Sequence, residues 1–192
     1  MGGGVPTLVG KGPAKLGRTV VLVGMMGAGK TAVGKALAAR LGVAFRDSDA
    51  ELEIAAAISI SEIFARDGEA FFRARETEVI DRLISAPPCV LSTGGGAFLQ
   101  PSNREIISAK GVSVWLNADL ALLWSRVKSK DTRPLLRTPD PYGTLCVLFE
   151  ARVPVYAMAD IEVVSLPGLT IDTMTTRVIE ALGARPGLLE PS

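Results

Sequence analysis

The sequence predicts a three-layer α/β/α protein, in which helices cover both faces of a five-stranded parallel sheet. Two observations lead to this fold class. Short β-branched runs alternate with longer helical stretches, and each run is apolar throughout, as in strands that are buried on both faces. The 192 residues are 48% hydrophobic and 21% charged, which is ordinary for one packed domain. Alternation of this kind is typical of βαβ units and therefore of a parallel sheet.

The predicted elements follow one another along most of the chain. We expect strands at 19–23, 43–46, 89–93, 112–116 and 161–164. We expect helices at about 30–41, 49–56, 60–84, 102–109, 119–128, 143–158 and 172–182.

The two ends of the chain lack this alternation. Residues 1–17 are rich in glycine, lysine and proline and are expected to form a flexible leader, and residues 185–192 a flexible tail. The body between them, 18–184, is expected to be a single domain. Within it the polar segment KSKDTRPLLRTPDPYG at 128–143 interrupts the pattern, and by itself it is typical of a solvated loop.

The composition excludes several classes of function. A formal net charge of +1 gives no electrostatic reason to expect nucleic acid or an anionic membrane as a partner. The chain has no histidine, which excludes histidine-based acid–base catalysis and histidine-ligated metal sites. Its two isolated cysteines, Cys89 and Cys146, are typical of buried thiols in a cytosolic protein. We therefore expect a cytoplasmic monomer whose partners are small molecules.

The segment GMMGAGKT at 24–31 fits the phosphate-binding pattern G-x-x-x-x-G-K-[ST]. A buried strand precedes it and a helix follows, and this context disfavours the alternative of a glycine turn with an incidental lysine. Backbone N–H groups of such a loop, helped by the helix N-terminus, cradle the β-phosphate of a nucleotide. Lys30 is expected to reach the β- and γ-phosphates, and the Thr31 hydroxyl to bind Mg²⁺. The predicted nucleotide-binding residues of this loop are Gly27, Ala28, Gly29, Lys30, Thr31 and Ala32.

A second observation concerns the metal ion. No apolar strand ends in the aspartate that usually supports Mg²⁺ beside such a loop, because the equivalent strand runs into TGGG at 93–96. The nearest candidates are Asp47 and Asp49 in FRDSD. In an extended pair two residues apart, both side chains point to the same side, at an edge where ligands bind in open α/β sheets. The pattern equally fits a helix N-cap with ordinary capping roles.

Six motifs in order resemble those of the shikimate kinase family: GMMGAGKT, DSD at 47–49, GEAFFRARE at 68–76, TGGG at 93–96, RPLL at 133–136 and RVPVY at 152–156. The resemblance extends from residue 18 to about 182. It implies a P-loop NTPase fold and transfer of the ATP γ-phosphoryl group to the 3-hydroxyl of shikimate. It also implies that 48–84 is a shikimate-binding helical region and that 128–142 is a mobile lid.

The resemblance assigns roles on the acceptor side. Arg73 and Arg152 match the pair that binds the substrate carboxylate, for which a planar guanidinium is well suited. Asp49 matches the residue that accepts hydrogen bonds from the substrate hydroxyls, and it is the candidate general base. Asp47 resembles the carboxylate that holds Mg²⁺ through water. Glu76, three residues after Arg73 on the same helix, is expected to orient that arginine.

The resemblance also assigns roles around the transferred group. Arg133, in the lid, is expected to neutralise charge on that group, and Arg126 to pack on the adenine side. The backbone near 165–168 is a further candidate for contact with adenine. The glycines of TGGG let backbone N–H groups approach the substrate without an intervening Cβ, as the floor of the acceptor site. These are Gly94, Gly95 and Gly96.

Two other functions remain open from the sequence. A kinase for another small acid such as gluconate could use the same paired arginines, although the DSD, FR and TGGG motifs argue against it. A nucleotide-binding regulatory module without transfer activity would have lost a lid arginine or a substrate-site residue. Arg133, Asp49 and Arg152 are all present.

Overall fold

The computed structural model describes residues 15–129 and 134–190. Its strands are β1 (Lys15–Leu16), β2 (Thr19–Val23), β3 (Phe45–Asp47), β4 (Val90–Ser92), β5 (Gly111–Ala118), β6 (Ile161–Ser165) and β7 (Leu189–Glu190). Five of them form one parallel sheet in the order β3-β4-β2-β5-β6. This arrangement confirms the predicted fold class.

The middle strand of the sheet, β2, is buried along its whole length. It pairs in parallel with β4 on one side and with β5 on the other, so that Val20 lies opposite both Val90 and Val112. The chain leaves β2 toward β3 and β4 on one side and toward β5 and β6 on the other. Such a reversal opens a crevice at the carboxyl edge of the sheet, beside the end of β2.

Helices flank the sheet in two layers. They are α1 (Lys30–Leu41), α2 (Ser48–Ala56), α3 (Ile60–Ile84), α4 (Pro101–Lys110), α5 (Leu120–Val127), α6 (Pro141–Tyr156) and α7 (Ile171–Gly183). Among the contacts between them, α1 packs against α7 and α3 against α4. All seven predicted helices are present, with ends that shift by a few residues.

Helix α3 is not continuous, although the sequence predicts one helix over 60–84. Gly68 has φ 81° and ψ 174°, which breaks the helical backbone into two pieces. A residue with a Cβ is strained at such angles. The first piece begins at a capping box in which Ser59 and Glu62 exchange hydrogen bonds. The second piece carries Arg73 toward the carboxyl edge of the sheet.

Residues 15–17 and 185–190 join the fold, which corrects only these parts of the predicted leader 1–17 and tail 185–192. Strand β1 pairs with β7 in an antiparallel two-stranded sheet, and the N–H of Gly17 donates to the carbonyl of Leu188. Leu16 and Leu188 are both buried. Strands of two residues are too short to show a periodicity, so the sequence pattern could not reveal them. Residues 1–14 and 191–192 of these segments lie outside the described residues.

Over residues 15–129 and 134–190, the structure contains no helix that is both long enough and apolar enough to cross a membrane.

Candidate active site

A cleft of about 810 Å³ opens at the carboxyl edge of the sheet. The loop between β2 and α1 forms one wall, and the ends of β3 and β4 form another. The start of α7 closes the far end. The predicted loop residues from Gly27 to Ala32, Asp47, Asp49, Gly94, Gly95 and Arg126 all line it.

The loop before α1 is built to expose backbone N–H groups. Gly29 is the N-cap of α1 in a left-handed conformation (φ 95°), and no side chain caps the helix there. The first N–H groups of α1 therefore remain for a ligand, and the helix dipole favours an anion. The ammonium group of Lys30 donates to the carbonyls of Gly24 (2.7 Å) and Met25 (3.0 Å). Thr31 follows in the first turn, with its side chain at the cleft.

Asp47 and Asp49 both reach the cleft, but not as the extended pair that the sequence suggests. Asp47 ends β3 and is the N-cap of α2, where its Oδ1 accepts from the N–H groups of Asp49 (3.1 Å) and Ala50 (3.3 Å). Asp49 already lies in the first turn of α2. The capping interpretation is therefore correct for Asp47. Capping fixes the direction of its carboxylate without removing it from the cleft.

The carboxyl group of Asp49 lies in a setting that disfavours its charge. Burial, followed by repulsion from Asp47, raises its pKa from 3.8 to about 6, against the opposing effects of Lys30 and Arg73. A carboxyl group with a pKa near the working pH can accept a proton in the reaction and release it afterwards.

The glycines after β4 touch site side chains that come from three different helices. A methyl group on Gly94 would lie 2.7 Å from Oδ1 of Asp49, and one on Gly96 would lie 2.6 Å from Nη2 of Arg73. A methyl group on Gly95 would lie 3.4 Å from Nη1 of Arg152. None of these three glycines has a positive φ. Close approach of side chains, not unusual backbone angles, therefore favours glycine at 94 and 96, whereas a methyl group on Gly95 would make ordinary van der Waals contacts.

Arg73 is held by a buried carboxylate. Its Nη1 donates to Oε2 of Glu76 at 2.8 Å, and the Glu76 side chain is 2% exposed. Burial raises the pKa of Glu76, and the bond to Arg73 counters that effect. The predicted orienting contact between Glu76 and Arg73 is thus present. It holds the guanidinium beside Gly96, next to the cleft, although Arg73, Gly96 and Arg152 are not among the residues that line it.

The model of the family described as shikimate kinase matches residues 26–183 of the chain. The chain belongs to the shikimate kinase family. A shikimate kinase of Ruegeria pomeroyi is 65% identical over 181 residues, which cover 94% of this chain and 93% of the relative. That of Cereibacter sphaeroides is 62% identical over 177 residues, or 92% of this chain and 88% of the relative.

A solved structure agrees with this assignment. The shikimate kinase of Acinetobacter baumannii in complex with shikimate superimposes on the chain with a TM-score of 0.80 at 38% identity. The alignment covers 88% of this chain and 95% of that one. The family consists of ATP-dependent kinases, and the nucleotide loop described above is consistent with that chemistry.

The wall of the cleft near Arg126 also contains residues that the sequence did not single out. Arg126, expected on the adenine side, donates to the carbonyl of Gly27 (3.2 Å) and to Oγ of Ser165 (3.3 Å). The cleft continues past the predicted 165–168 segment to Leu169, Thr170, Ile171 and Met174. Thr170 is the N-cap of α7, so a hydroxyl before a helical run was a signal that could have located this wall.

The predicted lid is described only in part. Arg133 lies outside the described residues, as do 130–132, and its role in this member of the shikimate kinase family stays a prediction. Within the rest of the segment, Pro134–Leu136 forms a short 3₁₀ turn. Leu136 is buried, and α6 begins at Pro141, within the predicted lid.

Proposed function

We propose that this chain transfers the γ-phosphoryl group of ATP to the 3-hydroxyl of shikimate, giving shikimate 3-phosphate. The observation that carries the proposal is the arrangement of one cleft. An uncapped helix N-terminus with Lys30 lies at one end, and Asp49 stands beside a glycine loop flanked by two arginines at the other. Family membership supports the same reaction.

On the donor side, the N–H groups of the loop from Gly27 to Thr31 bind the β-phosphate and Lys30 reaches the γ-phosphate. Arg126, tied to the backbone of the loop and to Ser165, packs on the adenine side. Arg133 of the lid supplies positive charge to the transferred group when ATP is bound. These contacts act by positioning and by electrostatic stabilisation, the main sources of catalysis in phosphoryl transfer.

Mg²⁺ fits this site as a partner of the nucleotide. Within the described residues, no cluster of three or more acidic or cysteine side chains could hold a metal ion. Mg²⁺ is commonly bound by one or two carboxylates, substrate phosphates and water, which Thr31 and Asp47 together with ATP would supply. Asp47 would hold the ion through water, and its cap bonds to the N–H groups of Asp49 and Ala50 would keep its carboxylate oriented. The ion, when bound, neutralises charge on the phosphate oxygens.

On the acceptor side, Arg73 and Arg152 bind the carboxylate of shikimate. The N–H groups of Gly94, Gly95 and Gly96 face its ring. Asp49 accepts a hydrogen bond from the attacking hydroxyl and takes its proton as the bond to phosphorus forms. The raised pKa of Asp49 supports that role. No covalent intermediate with the enzyme is needed, because the hydroxyl attacks the γ-phosphorus directly.

A coupled assay of ADP release, with and without shikimate, tests the proposal. We expect release that depends on shikimate and on Mg²⁺, with gluconate a much poorer acceptor. Lys30→Ala should abolish the activity and Lys35→Ala should not, because Lys35 is exposed on the same helix outside the cleft. Shikimate-independent ADP release, or faster turnover of gluconate, would overturn the proposal.

We also propose that the enzyme is a cytoplasmic monomer that binds neither nucleic acid nor membrane. The near-neutral net charge of +1 supports this proposal. Light scattering of the purified chain tests the oligomeric state, since a mass of two chains or more would contradict it.

A further inference from the structure

We infer that Tyr156 is a positioning residue for acceptor binding. It holds the glycine loop at 94–96 and Arg152 in a fixed position relative to each other. The inference rests on the proposed function, in which Arg152 binds the carboxylate of the acceptor. It adds a residue to which neither the motif nor the proposed mechanism assigns a role.

The first support is the partner of the Tyr156 hydroxyl. Tyr156 has no exposed surface, and its hydroxyl donates to the carbonyl of Gly95. Its ring stacks with Trp115 of β5 at 6.4 Å between centroids. Phenylalanine would fill the same space, so what tyrosine adds is a hydrogen bond to the glycine loop. That bond joins positions 61 residues apart, from the end of α6 to the loop after β4.

The second support is the shared contact with Gly95. Arg152 and Tyr156 are four residues apart on α6 and so lie on one face of the helix. A methyl group on Gly95 would be 3.4 Å from Nη1 of Arg152 and 3.8 Å from Oη of Tyr156. The charge of Arg152 also counters the rise in the pKa of Tyr156 that burial causes, in agreement with this proximity. Both side chains therefore lie beside the same side of Gly95.

The third support is a weak point in the helix between these residues. Pro154 lies inside α6 and has no N–H to donate to the carbonyl of Glu150. The turn that carries Arg152 is therefore not secured by a complete set of helical hydrogen bonds. The bond from Tyr156 to Gly95 attaches the end of the helix to the loop instead. Without it, the guanidinium of Arg152 can shift relative to the N–H groups of the loop.

Steady-state kinetics of Tyr156→Phe test the inference. Losing one neutral hydrogen bond changes binding by roughly 0.5–1.5 kcal/mol, so we expect the KM for shikimate to rise about 3- to 10-fold. The KM for ATP should change by less than about twofold, because the loop before α1 is not touched. In an Arg152→Ala background the same substitution should have little further effect on the KM for shikimate, since Tyr156 acts through Arg152.

Ser113→Ala is the matched control. It also removes a hydroxyl that is hydrogen-bonded in the folded state, here to Asp160 at 2.7 Å, outside the cleft. Its KM values should equal those of the unmodified enzyme. All variants are assayed below their own unfolding midpoints, so that loss of stability does not enter the comparison.

Two results would overturn the inference: an unchanged KM for shikimate in Tyr156→Phe, or an equal rise in the KM for ATP. Failure of the proposed function would look different, because the unmodified enzyme itself would then release no shikimate-dependent ADP.

Discussion

Asp49 shows at the scale of one residue how a proposed catalytic role and stability oppose each other. In the folded protein its pKa is raised to about 6, so the folded state binds a proton more tightly than the unfolded chain does. At neutral pH the carboxylate therefore destabilises the free enzyme. This cost falls as the pH drops toward the ordinary pKa of 3.8, because the group is then protonated in both states.

Asp49→Asn should separate these two effects. We expect a higher free energy of unfolding at pH 7, by roughly 1–3 kcal/mol in the absence of metal and nucleotide, and no gain below about pH 4. The kcat should fall by about 10²- to 10⁴-fold if the group accepts the proton. Urea unfolding at several pH values and the ADP-release assay measure the two quantities. Glu105→Gln, on the exposed face of α4, should change neither; a stability loss in Asp49→Asn at pH 7 would contradict the argument.

Gly94 and Gly96 allow a second comparison at the residue scale. Gly94→Ala places a methyl group 2.7 Å from the Asp49 carboxylate, so it should mainly lower kcat. Gly96→Ala places one 2.6 Å from the Arg73 guanidinium, so it should mainly raise the KM for shikimate. Each variant is the control for the other in the same kinetic assay. If the two variants changed kcat and the KM for shikimate by the same factors, the loop would act by contacting the substrate directly and not through Asp49 and Arg73.

The sequence predicted the loop before α1 and its place at the cleft better than these residue contacts. Lys30 and Thr31 belong to a local motif whose geometry follows from the strand, loop and helix around it. The contact between Arg73 and Gly96 joins positions 23 residues apart, and no local pattern specifies it. Asp47 shows the intermediate case: its place beside the cleft was predicted, but its cap bonds could not be distinguished from an extended pair.

At the scale of elements, the break in α3 at Gly68 decides where Arg73 lies. The residues on both sides are helical, and hydrophobic periodicity continues well enough to predict a single helix. Only the backbone angles of Gly68 show the break, because a glycine inside a helix is a weak signal by itself. The capping box at Ser59, by contrast, follows from an S-x-x-E pattern in the sequence.

Gly68→Ala should destabilise the protein by roughly 1–3 kcal/mol through backbone strain. No atom within 4 Å would touch the added methyl group, so crowding does not contribute. The matched control is Gly183→Ala, which also has open space but no positive φ and should be neutral or slightly stabilising. Urea unfolding measures both variants. If Gly68→Ala and Gly183→Ala had equal free energies of unfolding, α3 in Gly68→Ala would have relaxed into a straight helix. The KM for shikimate should then rise in Gly68→Ala.

At the scale of the whole molecule, the pairing of β1 with β7 closes the fold at a site separate from the cleft. Leu188 is 8% exposed and packs in the main core together with Leu16. The order of the sheet strands was not predicted either, since alternation gives the class of sheet but not which strands are neighbours. Both features depend on contacts between distant parts of the chain.

Leu188→Ala should therefore lower stability without changing catalysis. Removing a buried leucine side chain costs about 2–5 kcal/mol. The kcat and both KM values should stay unchanged, because Leu188 does not line the cleft. Val147→Ala, at a position that is 67% exposed, is the control and should alter the unfolding midpoint little. A changed KM in Leu188→Ala would show that the two ends are coupled to the site.

The glycine loop after β4 has a consequence for efforts to redesign the acceptor. Each of its three glycines faces a proposed functional side chain from a different helix: Asp49 of α2, Arg152 of α6 and Arg73 of α3. A residue larger than glycine at 94 or 96 would displace Asp49 or Arg73 before it could shape a new pocket. A directed-evolution library should therefore keep glycine at both positions, retain Asp49 as the proposed base, and vary the arginines that are proposed to bind the acceptor carboxylate.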